Sequence, residues 1–170
     1  MKALHSKIEL AVSKDTSRPQ IGHVHLDVDK SRLLATNGHI AAIVPVQLDS
    51  GDTSGPISID AIKQARKEDK RSGDYHIRAN GGLELSNGAM LPRESDVQQF
   101  PDIDRVINPN GEPVVSVSFN AKLLYELAQA LGTTNRGQHQ VTLEIRDENN
   151  VILVTARGCE AHGAIMPMRR

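Results

Sequence analysis

A pattern that occurs twice restricts this chain more than any other feature. The run "ISIDAIKQARKEDKRSGD" opens with alternating apolar residues and passes into helical spacing, and "VVSVSFNAKLLYELAQALG" does the same roughly sixty residues later. Ser58-Ile59-Asp60-Ala61 stands where Ser118-Phe119-Asn120-Ala121 stands in the second copy. Short strand-like runs follow each helix, so both copies read β-α-β-β-β. With several strands to each helix, the pattern predicts an α+β fold with helices on one face of antiparallel sheets.

Local cues place the elements. In the second copy Val115, Val117 and Phe119 alternate, and Asn120 caps a helix. Leu123, Leu124, Leu127, Ala128 and Leu131 form its apolar stripe, and Gly132 is the stop. In the first copy Ser58 or Asp60 caps a helix running to Gly73, and Lys67, Lys70 and Arg71 sit at the end where the helix dipole favours cations. Before both copies, "IGHVHLDVD" and "RLLATNGHIAAIVPV" read as strands with a turn at Asp29-Lys30-Ser31. Leu4, Ile8, Ala11 and Val12 fall at helical spacing, while Ile8, Leu10 and Val12 also alternate like a strand; of the two, a helix is expected over residues 2–14.

Composition removes several function classes. A single cysteine, Cys159, offers no disulfide or Cys-based zinc framework, and a reducing, cytoplasmic setting is expected. Lys7 and Glu9 interrupt the first apolar run before signal-peptide length, and no stretch approaches a membrane span. A net charge of −1, with two Phe, two Tyr and no Trp, leaves nucleic-acid contact to rest on local charge.

Such charge gathers at Lys63, Arg66, Lys67, Lys70 and Arg71. Glu68 and Asp69 interrupt the run, and a solvated helix face is the competing reading. His23, His25 and Asp27 share one side of a strand at a spacing a metal accepts, against the plainer reading of polar-face residues. No Gly-rich phosphate loop precedes a helix and no catalytic triad follows from residue order. No cofactor or enzymatic activity is therefore expected, and a metal hydrolase centred on His23 and His25 is the enzymatic alternative. The closing "CEAHGAIMPMRR" puts Met166 and Met168 on one face of an extended segment with Pro167 between them. They are either core-filling thioethers of a last strand or an adaptable apolar patch.

Separated segments, in order, resemble the bacterial DNA polymerase III β sliding clamp. "AVSKDTSRPQIGHVHLD" is similar to that family's helix end and following strand. "LLATNGHIAA" resembles A-T-D-G-H-R-L-A, "FPDIDRVINP" resembles F-P-D-Y-R-R-V-L-P, and "IMPMRR" resembles V-M-P-M-R-L. The resemblance implies a DNA-clamp (processivity-factor) fold and a non-enzymatic role in DNA replication or repair. Residues 1–107 answer to the middle clamp domain and 108–170 to half of the last. The chain departs from the family in being less than half as long, in lacking an opening strand before the middle-domain match, and in carrying Asn37 for Asp and Ile40 for Arg.

Family clamps capture short peptide motifs of partners such as a DNA polymerase between the middle and last domains. Carried over, that implies Ile21, Thr36, Gly38 and His39 on one wall, with Arg105 and Val106 from the connector. Ala164, Met166, Pro167, Met168 and Arg169 come from the tail. His39 is equally readable as a turn residue after Asn-Gly, and Gly38 suits a turn needing positive φ. The basic helix implies weak, non-specific contact with duplex DNA. Ring closure implies a homo-oligomer of about four or about six copies, according to how many repeat units form. The alternative from another class is a monomeric or dimeric adaptor or decoy that keeps the peptide groove without encircling DNA.

Overall fold

The computed structural model describes residues 1–3, 6–68, 74–94, 99–107, 112–132, 140–157 and 160–168. The fold is α+β with antiparallel sheets, and the chain divides into two compact units, Met1–Pro109 and Asn110–Arg170.

Unit 1 contains β1 (Lys2–Ala3), β2 (Val24–Asp27), β3 (Arg32–Thr36), β4 (Ala41–Gln47), β5 (Gly55–Ile57), α1 (Ile59–Glu68), β6 (Tyr75–Ala79), β7 (Leu83–Leu85), β8 (Met90–Leu91) and α2 (Asp104–Ile107). Its eight strands form one sheet in the order β5-β2-β3-β4-β1-β6-β7-β8. That order contains an exchange. β5 leads the second run of strands yet pairs with β2, and β1 leads the first run yet pairs with β6 as well as with β4. Each meander is therefore completed by the leading strand of the other.

The expected helix over residues 2–14 does not form. β1 occupies its start, and a single 3-10 turn at Ile8–Ala11 follows. Lys7 at its N-terminal boundary offers no side-chain cap, Leu10 is exposed, and of the expected apolar stripe Ile8, Ala11 and Val12 turn inward. One tight turn buries those three residues, and a longer helix would occupy the place where β1 bonds to two neighbours. β1 also corrects the expectation that an opening strand is missing: it is short, but it lies inside the sheet.

α1 forms where the capping residue predicts, with Ser58 Oγ accepting the Ala61 N–H at 3.2 Å. Ala61, Ile62 and Ala65 make its buried stripe against β6 and β7. The core joins these residues to Val24, Leu26, Leu33, Ile57, Tyr75, Ile77, Leu83 and Leu85. Each large aliphatic side chain buried there stabilises the unit by about 1.5–3 kcal/mol.

Unit 2 contains α3 (Ala121–Ala130), β9 (Val141–Glu144), β10 (Ile152–Ala156) and β11 (His162–Ile165), with sheet order β11-β10-β9. Asn120 caps α3 through its Oδ1, which accepts the Lys122 N–H. Gly163 admits the helix: a Cβ there would lie 2.7 Å from Leu127 Cδ1. The strand expected over Val115–Phe119 is not formed, and no strand is assigned among residues 112–120. A backbone bond fixes the segment on one side, where the Ser118 carbonyl accepts the Met168 N–H at 2.7 Å.

At the start of unit 1 the fully buried Met1 ammonium lies 2.8 Å from Asp49 Oδ2 and 2.7 Å from Asp52 Oδ2, and donates to the Ile77 carbonyl at 2.6 Å. The ammonium hydrogen bond, with His76 behind it, holds Asp49 below the usual carboxylate range. Burial pushes Asp52 up, but the ammonium and the N–H groups of Ala79 and Asp49 outweigh it, and the net direction is down. Depressed carboxylate values contribute stability above the unfolded pKa, and that stability is lost as pH falls through about 4 toward the folded values. The melting temperature should thus fall between neutral pH and about pH 3. Asp52→Asn should cost about 3 kcal/mol at neutral pH, the lower end for breaking a buried pair because Asp49 remains, and should flatten that acid dependence in a calorimetric series.

Candidate functional site

The residues of the implied peptide site fall on both units, and each unit presents its own set. In unit 1, Thr36 closes β3. Its Oγ1 donates to the Ile40 carbonyl at 2.7 Å and accepts the Gly38 N–H at 3.1 Å. Asn37 Oδ1 accepts from the N–H groups of His39 and Ile40, so the Asn side chain ties the bend and leaves His39 exposed at its tip. Gly38 has φ +89°, and it is this left-handed turn that calls for glycine, since the one near neighbour of an added Cβ is the movable end of Arg18. Thr36 is buried and holds the bend from beneath. Ile21 is only 2% exposed and packs inside the unit, which gives it a supporting place and no exposed face.

Arg105 and Val106 are exposed on α2, and a clasp seats that short helix. Asp104 accepts from Arg32 Nη1 at 2.7 Å, Arg32 Nη2 at 2.6 Å and Lys30 Nζ at 2.6 Å, while Arg32 Nε bonds Asp27 Oδ2 at 2.8 Å. The bonds from Arg32, then Lys30, hold the Asp104 carboxyl well below the usual range, and the same pairing raises Arg32. This clasp lies at the Arg32 end of β3, roughly 13 Å along the strand from Thr36. The hairpin bend and α2 thus mark the two ends of one strand.

In unit 2, Met166 and Met168 are 65% and 56% exposed. With Pro167 they border a hollow of about 400 Å³ whose other sides are Ser116, Ser118, Glu148 and Asn149. Ala164 is exposed on β11, two residues before Met166. The methionines are therefore not core filler: Ile165 turns inward and its neighbours turn out. Arg169 lies outside the described residues. Sequence reasoning missed Ser116 and Ser118 as lining residues, although their alternation with Val117 and Phe119 carried the signal.

Of the basic set, Lys63 and Lys67 are exposed one helical turn apart on α1. Arg66 is engaged elsewhere, paired with the shielded Glu9 at 2.5 Å, its guanidinium carbon 5.9 Å from the Tyr75 ring centre. Lys70 and Arg71 lie outside the described residues.

His23 and His25 share a strand side, and Phe100 joins them. His25 stacks on Phe100 with ring centres 5.0 Å apart, and His23 tilts toward it at 5.8 Å. Burial first, and for His25 also the neighbouring His23, holds both imidazoles below the ordinary histidine range. Asp27, the third residue of the suspected metal spacing, serves Arg32 instead. Among the described residues no three His, Cys, Asp or Glu side chains gather where one cation would meet them.

Neither models of known protein families, nor curated proteins, nor solved structures gave a match to this chain.

Asp104→Ala should free α2 from β3. Amide hydrogen exchange at Val106 and Ile107 is then expected to quicken by about tenfold or more while the α1 amides keep their protection.

Proposed function

We propose that this chain is a non-enzymatic, clamp-like protein of DNA replication or repair, docking short apolar motifs of partner proteins such as a DNA polymerase and touching duplex DNA weakly through charge. One observation carries the reading: Met166 and Met168 stand in solvent on either side of Pro167, over a polar-edged hollow. Two thioethers together over a hollow differ from a single exposed side chain such as Met90, and their flexibility suits varied Leu or Phe anchors. The Ser118 hydroxyl on the same hollow supplies a hydrogen bond to a peptide backbone. On the other unit the exposed His39, Arg105 and Val106 offer a second set of peptide contacts.

The contact with DNA rests on Lys63 and Lys67. Phosphate contacts carry no sequence information, and each neutralised phosphate contributes about −0.9 to the salt slope, so two cations support a slope of roughly −2. The adaptor or decoy reading, without encircled DNA, draws support from α3. Its one lysine, Lys122, lies 3.6 Å from Glu126, while Leu123 and Tyr125 are exposed on the same helix. Such a surface suits protein more than phosphate.

Titration of a labelled Gln- and Leu-rich clamp-binding peptide tests the first claim. Met166→Ala and Met168→Ala should each weaken it by about tenfold, in the range of a buried apolar anchor. Unchanged affinity removes the tail from the site. Reversing charge at Lys63 and Lys67 should abolish low-salt DNA binding. Wild-type protein that binds peptide but no DNA at low salt leaves the adaptor reading in place.

A further inference from the structure

We infer that unit 2 pairs with unit 2 of a second copy of this chain, the segment around Val117–Phe119 of each adding to the β9 edge of the other. The inference rests on the topology of unit 1 and is independent of the functional reading above.

In unit 1 the first strand of each meander pairs with the leading strand of the other run, β2 with β5 and β6 with β1. β1 lies between β4, the last strand of its own run, and β6, the first strand of the other. Unit 2 contains one run and reproduces half of that arrangement. The Ser118 carbonyl accepts the Met168 N–H, so the leading segment lies beside the continuation of β11 as β1 lies beside β4. Among the described residues no strand takes the place corresponding to β6's partner, and β9 pairs with β10 alone. One leading segment and one open first strand on the same unit are complementary, and a two-fold axis satisfies both at once.

The register agrees. In unit 1, Ile57 lies two residues before α1 and sits opposite Val24, the first residue of β2. The caps set the equivalence: Ser58 caps α1 and Asn120 caps α3, two residues away from the alignment read in the sequence, so Phe119 takes the place of Ile57 and falls opposite Val141, the first residue of β9. Phe119 and Val117 then meet Val141 and Leu143, all four of which pack on the unit's apolar cluster. Ser118 faces Thr142 on the outer side. A slip of one residue would put apolar against polar along the whole pairing.

The helix faces point the same way. The third, fourth and seventh residues of α1, Ala61, Ile62 and Ala65, are buried. The same places on α3 are Leu123, Leu124 and Leu127. None of them is buried, and Leu123 is 51% exposed. A second copy supplies the missing cover.

Sedimentation of the chain should give a species no smaller than two 18.5 kDa chains. A single-chain mass at every concentration overturns the inference. The interface is read separately. Chains carrying Ser118→Cys and chains carrying Thr142→Cys, both with Cys159→Ser, are mixed and treated with a short bis-maleimide. Both cysteines replace outward-facing residues and leave the apolar cluster intact. Cross-linked dimer should form in the mixture at about tenfold or more above either variant alone, because the axis sets residue 118 of one chain against residue 142 of the other. An oligomer with no such excess overturns the assigned interface.

Discussion

The two residues of β1 hold unit 1 together. Lys2 and Ala3 sit between β4 and β6, and their backbone groups meet partners on both sides. The sheet otherwise divides at this point into β5-β2-β3-β4 and β6-β7-β8, each with an open edge. So short a strand is held by what flanks it. The Met1 ammonium is gripped by Asp49, Asp52 and the Ile77 carbonyl, and Ile77 returns its own N–H to the Met1 carbonyl at 3.0 Å.

The same requirement, that a strand's backbone groups find partners, governs unit 2 from the opposite direction. Among the described residues its leading segment meets the tail and is not paired with β9, and no residue of its helix is buried. Unit 1 buries eighteen core residues in one cluster, while the unit 2 cluster has three among the described residues. Under the pairing inferred above, a half-closed core and an exposed apolar helix share one cause, the absence of the complementary run.

Electrostatics decides which surface groups remain available. Arg66 and Lys67 are adjacent in sequence and equally basic, yet Arg66 folds back on Glu9 and Tyr75 while Lys67 stays in solvent. Planar guanidinium pairs well with a shielded carboxylate, whereas a hydrated ammonium keeps its water. Asp104 shows the converse: a polar residue in a connection, unremarkable in sequence, receives three charged hydrogen bonds and fixes where Arg105 and Val106 stand. The methionines stand out for a local reason: Ile165 turns inward, and alternation along the extended tail sends Met166 and Met168 the other way.

The amino-acid sequence alone determined what depends on near neighbours. It set the two capped helices, the Asn-Gly bend, the alternation that turns Met166 and Met168 to one face, and the succession of strands after each helix. The interactions responsible span a few residues, and the side-chain types announce them. Only the tertiary structure decided what depends on distant partners. It made residues 2–14 a strand and a 3-10 turn because β1 bonds β4 and β6. It left Val115–Phe119 outside any assigned strand, and it withdrew Arg66 into an ion pair. Helical spacing and strand alternation state which face a residue prefers; which segment meets that face is fixed only when the chain closes on itself.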